Sequence, residues 1–155
     1  IPSNVSYNEE LDANYIWNST NGKILYVGGE GEGNYSKIQD AINDAKDGDI
    51  IFIYDDSSPY YENNITINKS VYVQGENTQT TIIDGCLHSI FLITAPYVTI
   101  ANLTIRNAKP WGIAIMSSCN TIENCIAYGN GIGIFLNRAD NNIIRNCLNN
   151  GSVSV

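Results

Sequence analysis

Ile100-Ala101-Asn102-Leu103, Ile122-Glu123-Asn124-Cys125 and Ile144-Arg145-Asn146-Cys147 are three versions of one short sequence, spaced 22 residues apart. Between them, Gly112-Ile113-Ala114-Ile115 is echoed 21 residues later by Gly133-Ile134-Phe135-Leu136. A fixed period in the twenties indicates a solenoid, in which each repeat buries its apolar side against its neighbours. This stretch therefore decides the fold class.

The residue types of the repeats indicate short strands joined by tight bends. Apolar residues alternate with polar ones such as Glu123 and Arg145, which is the two-residue period of a half-buried strand. Asn102, Asn124 and Asn146 are expected at the bends, because asparagine tolerates the left-handed backbone region. Amides stacked at one coil position can also bond each other along the axis. We predict an all-β solenoid, a right-handed parallel β-helix with coils of about 22 residues.

One helix is predicted before the coils. Ser36-Lys37-Ile38-Gln39 has the pattern of a capping box, and apolar residues then follow at helical spacing up to Ala45. The helix should span about residues 36–46 and end at Asp47-Gly48-Asp49. Because the first coil of a solenoid has an open apolar end, this amphipathic helix is expected to cover it.

Composition limits the domain count and the partners. The 155 residues suggest one domain, which we place at 24–155, preceded by a polar arm at 1–23. The chain carries 16 acidic and 8 basic residues without a Lys/Arg cluster, and this charge argues against nucleic acid as a partner. No apolar run approaches the roughly 20 residues of a membrane span. The first residue is Ile1, so we expect a secreted chain whose leader has been removed.

Glycosylation sequons also favour an extracellular location. The motif Asn-x-Ser/Thr occurs seven times in the chain, although bends rich in Asn, Ser and Thr would produce some of these motifs without any modification. Asn102 lies at the expected bend and should be bare. The remaining candidates for glycosylation are Asn4, Asn18, Asn34, Asn64, Asn68 and Asn150.

The four cysteines have no spacing typical of a metal site or of a redox pair. Cys125 and Cys147 occupy the same place in successive repeats, about 4.8 Å apart along the axis, which is within reach of a disulfide. Two stacked free thiols are the equally weighted alternative. Cys86 and Cys119 are further disulfide candidates.

The early part of the chain resembles a known family in six short motifs. They are Tyr35-Ser-Lys-Ile-Gln-Asp-Ala-Ile42, Asp47-Gly-Asp-Ile-Ile51, Pro59-Tyr-Tyr-Glu-Asn63, Ile67-Asn-Lys-Ser70, Gly75-Glu76 and Thr81-Ile-Ile-Asp-Gly85. In these motifs the chain is similar to pectin-lyase-like β-helix proteins, and most similar to archaeal-type surface proteins with NosD-like repeats. The resemblance covers roughly residues 24–150. It implies the fold but leaves the activity open, because the family mixes polysaccharide-cleaving enzymes with proteins of no known catalysis.

The catalytic residues of these relatives have no matching context here. Pectin methylesterase relatives need a pair of aspartates with a glutamine and an arginine, and no counterpart can be placed. Pectate-lyase relatives need clustered calcium-binding acids and an arginine in an Arg-x-Pro-x-x-Arg-like setting, which Arg106, Arg138 and Arg145 lack. The acids cluster instead in turns, at Asp47 and Asp49 and at 55–56, where they more often form turns than bind calcium. We therefore expect no catalytic site and no cofactor, with calcium as a lesser alternative.

Two functions of different class remain. The chain ends in mid-coil at Ser152-Val153-Ser154-Val155, which indicates either a fragment or an open end covered by another molecule. A head-to-tail contact of unlike surfaces propagates into a filament, and the arm residues Tyr15, Ile16 and Trp17, with Val153 and Val155 at the tail, are the assembly candidates. The first prediction is thus a non-catalytic extracellular subunit of a head-to-tail homopolymer. The alternative is a module that binds or cleaves polysaccharide. Its tyrosines, such as Tyr54 and Tyr61, then supply the aromatic face on which surface glycans stack.

Overall fold

The structure, a computed structural model, describes residues 22–150 and 152–154, the last three by their backbone alone. This part of the chain is wound into about six coils of short strands, with a single helix, α1, at Ile38–Asp44. The strands in chain order are β1 Ile24–Val27, β2 Ile50–Ile53, β3 Tyr60–Tyr61, β4 Ile65–Ile67, β5 Tyr72–Gly75, β6 Ile82–Asp84, β7 Phe91–Ile93, β8 Thr99–Ala101, β9 Thr104–Arg106, β10 Trp111–Ile115, β11 Thr121–Glu123, β12 Ile126–Tyr128, β13 Ile132–Leu136, β14 Ile143–Arg145, β15 Leu148–Asn149 and β16 Ser152–Ser154.

The strands form three parallel sheets that run along the axis of the solenoid. Sheet 1 has the order β1-β2-β5-β8-β11-β14, sheet 2 the order β3-β6-β9-β12-β15, and sheet 3 the order β4-β7-β10-β13-β16. Each full coil contributes one strand to each sheet. In sheet 1, Ile122 pairs with Ile100 on one side and with Ile144 on the other, so the predicted 22-residue register is confirmed.

The core is a column of isoleucine and valine side chains between the three sheets. Ile51, Val73, Ile100 and Ile122 are stacked in sheet 1 and are fully buried. Ile144 continues their column on the sixth coil, but 36% of its surface is exposed, so its predicted inward packing is incomplete. At about 25 cal/mol per Å² of apolar area removed from water, such stacked columns are the main source of stability in this fold.

In the last three coils, the bend between sheets 1 and 2 is an asparagine in the left-handed region, as predicted. Asn102, Asn124 and Asn146 have φ values of 58°, 52° and 52°. The Asn124 side-chain amide donates to the Asn102 side-chain oxygen at 3.2 Å. Asparagine suits this position because its short side chain tolerates a positive φ and still pairs with the next coil.

The helix is shorter than the sequence predicted, and the predicted capping box is wrong. Lys37 is the residue at the N-cap, and its side chain makes no capping hydrogen bond. Instead, the carboxylate of Glu62 accepts the backbone N–H groups of Ile38 at 2.8 Å and Gln39 at 2.9 Å. A carboxylate from the neighbouring coil therefore satisfies the free amides of the first turn.

The helix covers the first coil as predicted, and it also protects a strand edge. The Gln39 side chain accepts the Thr66 N–H at 2.7 Å and donates to the Thr66 carbonyl at 3.2 Å, which replaces a missing strand beside β4. The Lys69 ammonium donates to the carbonyl oxygens of Ile42 and Ala45 at 3.0 and 2.7 Å, at the last turn of the helix. In the described part of the chain, no helix is long and apolar enough to cross a membrane.

Candidate functional site

The loop from Gly28 to Asn34 lies at the surface of the first coil and is held in a defined turn. Gly28 and Gly29 have φ values of 75° and 71°, and a Cβ at Gly28 would lie 2.0 Å from the Tyr60 hydroxyl. The Gly28 N–H donates to the Tyr35 carbonyl at 2.8 Å, and the Asn34 amide donates to the Gly28 carbonyl at 2.7 Å. Glycine is required because the loop packs directly against that tyrosine.

On one side of this loop lies a cavity of about 590 Å³, here called the tyrosine cleft. Tyr26 and Tyr54 form its aromatic wall, with ring centroids 5.8 Å apart and ring planes within 20°. Phe52 supports both rings edge-on, at 6.0 Å from Tyr26 and 5.1 Å from Tyr54. The complete lining is Tyr26, Gly29, Glu30, Gly31, Glu32, Asn34, Tyr54 and Asp56.

On the other side of the loop lies a second cavity of about 440 Å³, here called the helix cleft. It shares Gly29, Gly31 and Asn34 with the tyrosine cleft, and Tyr61, which is 69% exposed, lies at its border. Tyr60 has a structural role, because its hydroxyl donates toward the Tyr54 carbonyl at 2.7 Å and its burial raises its pKa to about 12. We call the two clefts together the loop surface.

The predicted sugar-stacking tyrosines do not form one continuous face. Tyr54, Tyr60 and Tyr61 lie around the loop, whereas Tyr97 and Tyr128 are exposed elsewhere on the solenoid. The stacking of Tyr26 on Tyr54 was not predicted from the sequence. The signal was present in the strands Lys23–Val27 and 50–54, since parallel pairing at an offset of 26 residues sets Tyr26 beside Phe52.

The loop surface is chemically suited to hold a flat apolar ring with polar groups at its rim. Stacked tyrosines offer a π-face, and the neighbouring carboxylates accept hydrogen bonds from hydroxyl or amino groups. Burial, together with the negative charges of Glu76 and Asp56, raises the pKa of Tyr54.

The carboxylates in and next to the turns are engaged in structural hydrogen bonds. Asp49 accepts the backbone N–H groups of Lys23 and Lys46, both at 2.8 Å, and Asp47 accepts that of Ser70 at 2.9 Å. Asp55 and Asp56 likewise accept hydrogen bonds within the loops. In the residues that the structure describes, no group of three or more His, Cys, Asp or Glu side chains could hold a metal ion.

Two acids further along the chain pair with arginines on the outer faces. Asp84 accepts the Arg106 guanidinium at 2.8 Å, and Glu123 accepts the Arg145 guanidinium at 2.7 Å. Although burial opposes it, hydrogen bonds from the Cys86 N–H, Arg106 and Asn107 hold the pKa of Asp84 below its usual value. These acids are bound to partners that neutralise or fix them.

All four cysteines are free thiols, so the predicted disulfide is not formed and the alternative of stacked thiols holds. The Cys125 thiol donates to the Glu123 carbonyl at 3.2 Å, and the Cys147 thiol donates to the Arg145 carbonyl at 3.3 Å. The two side chains therefore point the same way in neighbouring coils. A disulfide needs the two Cβ atoms to converge to about 3.8 Å, and parallel side chains at the strand spacing do not converge. Cys86 is exposed and Cys119 is partly buried.

The candidate glycosylation sites differ in access. Asn64, Asn68 and Asn150 are exposed, whereas Asn34 uses its amide nitrogen to hold the glycine loop. Asn102 is 9% exposed at its bend, as predicted. Asn4 and Asn18 lie outside the described residues.

The assembly candidates are placed only in part. Tyr15, Ile16, Trp17 and Val155 lie outside the described residues. The backbone of Val153 lies in β16, which pairs with β13. Of the assembly candidates, the described residues therefore contain only the backbone of Val153.

Comparison with known proteins identifies the family. The family model described as the right-handed β-helix region matches residues 71–153, which is more than half of the chain. Comparison with curated proteins and with solved structures gives no significant match. The parallel pairing of all three sheets agrees with the family model, which also defines the right-handed sense of the coils. The chain belongs to the right-handed β-helix family.

Proposed function

We propose that this chain is a non-catalytic extracellular β-helix module that binds polysaccharide on its loop surface. The observation that carries the proposal is the pair of stacked tyrosines, Tyr26 and Tyr54, in an open cleft with hydrogen-bonding side chains at its rim. Aromatic walls with a few polar groups are typical of small-ligand sites, and a sugar ring has one apolar face and a polar edge.

The adjoining clefts favour an extended ligand over a single sugar. The tyrosine cleft and the helix cleft meet at Gly29, Gly31 and Asn34, so a chain of sugars can cross the loop between them. Tyr61, which lines the helix cleft, supplies a further aromatic ring, and this ring is exposed. A ligand that contacts both clefts gains contact area without any movement of the coils.

The non-catalytic role is supported by what the acids do. Glycoside cleavage requires two carboxylates about 5–10 Å apart that are available to a substrate as acid and base. Asp49, Asp84 and Glu62 instead accept backbone or arginine hydrogen bonds that hold the coils and the helix. Diverting any of them to proton transfer would remove a structural contact. In the tyrosine cleft, Glu30 and Glu32 lie exposed on the glycine loop rather than in an enclosed site.

The extracellular location is supported by the exposed sequons at Asn64, Asn68 and Asn150. The resemblance to archaeal-type surface proteins with NosD-like repeats points the same way, toward a protein displayed at the cell surface. Detection of glycans on Asn64 or Asn68 by mass spectrometry of the native protein would support this location.

Affinity electrophoresis through gels that contain soluble polysaccharides tests the binding proposal. The wild-type chain should be retarded by at least one of them, and Tyr26→Ala and Tyr54→Ala should weaken retardation about tenfold, as expected for a buried aromatic contact. Tyr97→Ala is the matched control, because Tyr97 is 71% exposed and lies away from the loop. Equal retardation of all the variants would contradict the proposed site, and release of reducing ends would contradict the non-catalytic role.

End-to-end association into a filament is the second candidate. On the sixth coil Ile143, Ile144 and Leu148 are 52%, 36% and 59% exposed. In the described part of the chain, the last strand of each sheet pairs on one side only; these strands are β14, β15 and β16. At the opposite edge of sheet 3, the Gln39 side chain makes hydrogen bonds to the backbone of β4. Unpaired edges beside apolar side chains are a surface on which another β-structure can add.

A further inference from the structure

We propose that the tyrosine cleft prefers glycans that carry protonated amino groups over neutral glycans, and that it rejects glycans built from uronic acids. This inference rests on the proposed function, because it assigns a substrate class to the same loop surface. The site itself is defined by the cavity and by the stacked rings of Tyr26 and Tyr54; the charges at its rim decide which sugars it accepts.

The rim of the tyrosine cleft is negative on more than one wall. Glu30 and Glu32 lie on the glycine loop, and Asp56 lies on the turn after β2. The residues that line the cleft include these three carboxylates and no lysine or arginine. An extended ligand on the stacked rings must therefore pass close to several negative charges that no lining cation neutralises.

One of these acids is fixed in place. The Asp56 carboxylate accepts the Gly29 N–H and the Ser57 hydroxyl through the same oxygen, both at 3.1 Å. These contacts anchor the carboxylate beside the cleft without supplying a positive charge. Glu30 and Glu32 are exposed on the loop, so their side chains can adjust to an amino group on the ligand.

The acids behind the cleft add to the same field. Asp55 and Glu76 lie next to it, where the Asp55 N–H donates to the Glu76 carboxylate at 3.0 Å. Burial raises the pKa of Glu76, and the charges of Asp55 and Asp56 raise it further. Burial raises the pKa of Tyr54 as well, and the negative charges of Glu76 and Asp56 add to that shift.

The chemistry follows from charge complementarity. A protonated amine beside a carboxylate forms a charge-assisted hydrogen bond, which is stronger than the bond from a neutral hydroxyl. A uronate brings a like charge to the same wall, and a like-charge contact disfavours that ligand. Lys37 lies in the helix cleft, across the loop, and does not line the tyrosine cleft.

The test is a calorimetric titration of the full chain with four oligosaccharides of equal length. They are glucosamine, N-acetylglucosamine, glucose and galacturonic acid oligomers. We expect the glucosamine oligomer to bind about tenfold more tightly than the glucose oligomer at low salt, with this advantage reduced at high salt. The galacturonic acid oligomer should bind most weakly.

Charge-neutral variants separate this inference from the proposed function. Glu30→Gln with Glu32→Gln should lower the ratio of glucosamine to glucose affinity from about tenfold toward one, and Asp40→Asn on the exposed face of the helix is the control that should leave this ratio unchanged. Strongest binding of glucose or of N-acetylglucosamine by wild type, or an unchanged preference in the double variant, would overturn the inference alone. Strongest binding of the uronate oligomer would also overturn it. Failure of all four oligomers to bind would overturn the proposed carbohydrate function itself.

Discussion

Cys125 and Cys147 occupy the same position in neighbouring coils, yet their thiols differ in acidity. Interaction with the neighbouring Cys125 thiol lowers the pKa of Cys147 to about 7, although partial burial opposes the shift. The same interaction, together with burial, raises the pKa of Cys125 well above its usual value. Cys147, the less buried of the two thiols, is therefore the more acidic.

This difference predicts selective alkylation. The thiolate is the reactive form, so Cys147 should react with iodoacetamide at a rate that rises as the pH passes through about 7, and Cys125 should stay protected. Mass spectrometry of peptides after timed alkylation at several pH values measures both rates. Cys125→Ala removes the neighbouring thiol and should move the Cys147 midpoint to higher pH. An unchanged midpoint in that variant would show that the sulfurs are not coupled.

Substitution of a single residue, Ile122, tests the 22-residue register of the coils. It is fully buried between Ile100 and Ile144, so Ile122→Asp puts an unpaired charge in the core and should abolish folding. Ile122→Ala should cost about 2–5 kcal/mol of unfolding free energy. Thr121→Asp is the matched control, because Thr121 is only partly buried and precedes Ile122 on the outer face. Thermal melting followed by circular dichroism gives the result, and a well-folded Ile122→Asp protein would contradict the register.

At the scale of elements, the seven-residue helix depends on contacts from the second coil. An isolated helix of this length is unstable in water, so its packing and its end contacts must hold it. Glu62 binds its first turn and Lys69 its last turn, where an acid and a base respectively match the helix dipole. The helix is therefore tied to the β-helix at both ends.

Removing either end contact should destabilise the first coil. We expect Glu62→Gln to lower the unfolding free energy by about 1 kcal/mol, as for loss of a helix cap, and Lys69→Met by about 2 kcal/mol, as for hydrogen bonds from a charged donor. Lys46→Met is the control, since Lys46 is exposed just beyond the helix. Urea unfolding measures the changes. Hydrogen exchange should locate the loss of protection at Ile42, and loss at the last coils instead would contradict this assignment.

At the scale of the whole molecule, the two described ends of the solenoid differ. Helix α1 and Gln39 close the first coil, whereas the sixth coil exposes Ile143 and Leu148 on strands that pair on one side. If copies of the chain associate, the sixth coil is the surface that should be buried. The association would join unlike surfaces and would therefore be able to propagate.

The proposed filament predicts a change in mass with concentration. Sedimentation velocity of the full chain should show species larger than a monomer, and the double variant Ile143→Lys with Leu148→Lys should sediment as a monomer. The arm lies mostly outside the described residues. A separate variant that lacks residues 1–22 tests whether the arm makes the contact between copies of the chain. A full chain that remains monomeric at all concentrations would contradict the filament. Oligomers that persist in both variants would assign the contact to another surface.

The repeat made much of the fold predictable from sequence. Ile100, Ile122 and Ile144 recur with Asn102, Asn124 and Asn146, and stacking identical residues fixes register, bend and core together. The same repeat contained Asn120 and Asn142, whose side chains accept N–H groups one coil back, but their role was missed. In the sequence alone, each of these asparagines looks like a residue of an ordinary polar turn.

The contacts that recur with the period of the coil could be predicted from the amino-acid sequence alone. Contacts between unlike segments depended on the tertiary structure, since no periodicity relates their members. Glu62 replaced Ser36 as the helix cap because winding brings the second coil against the helix. Tyr26 and Tyr54 became one wall of a cleft because parallel pairing of β1 with β2 brings their rings together. The thiols of Cys125 and Cys147 remained free because side-chain direction, rather than spacing along the axis, decides whether two sulfurs can meet.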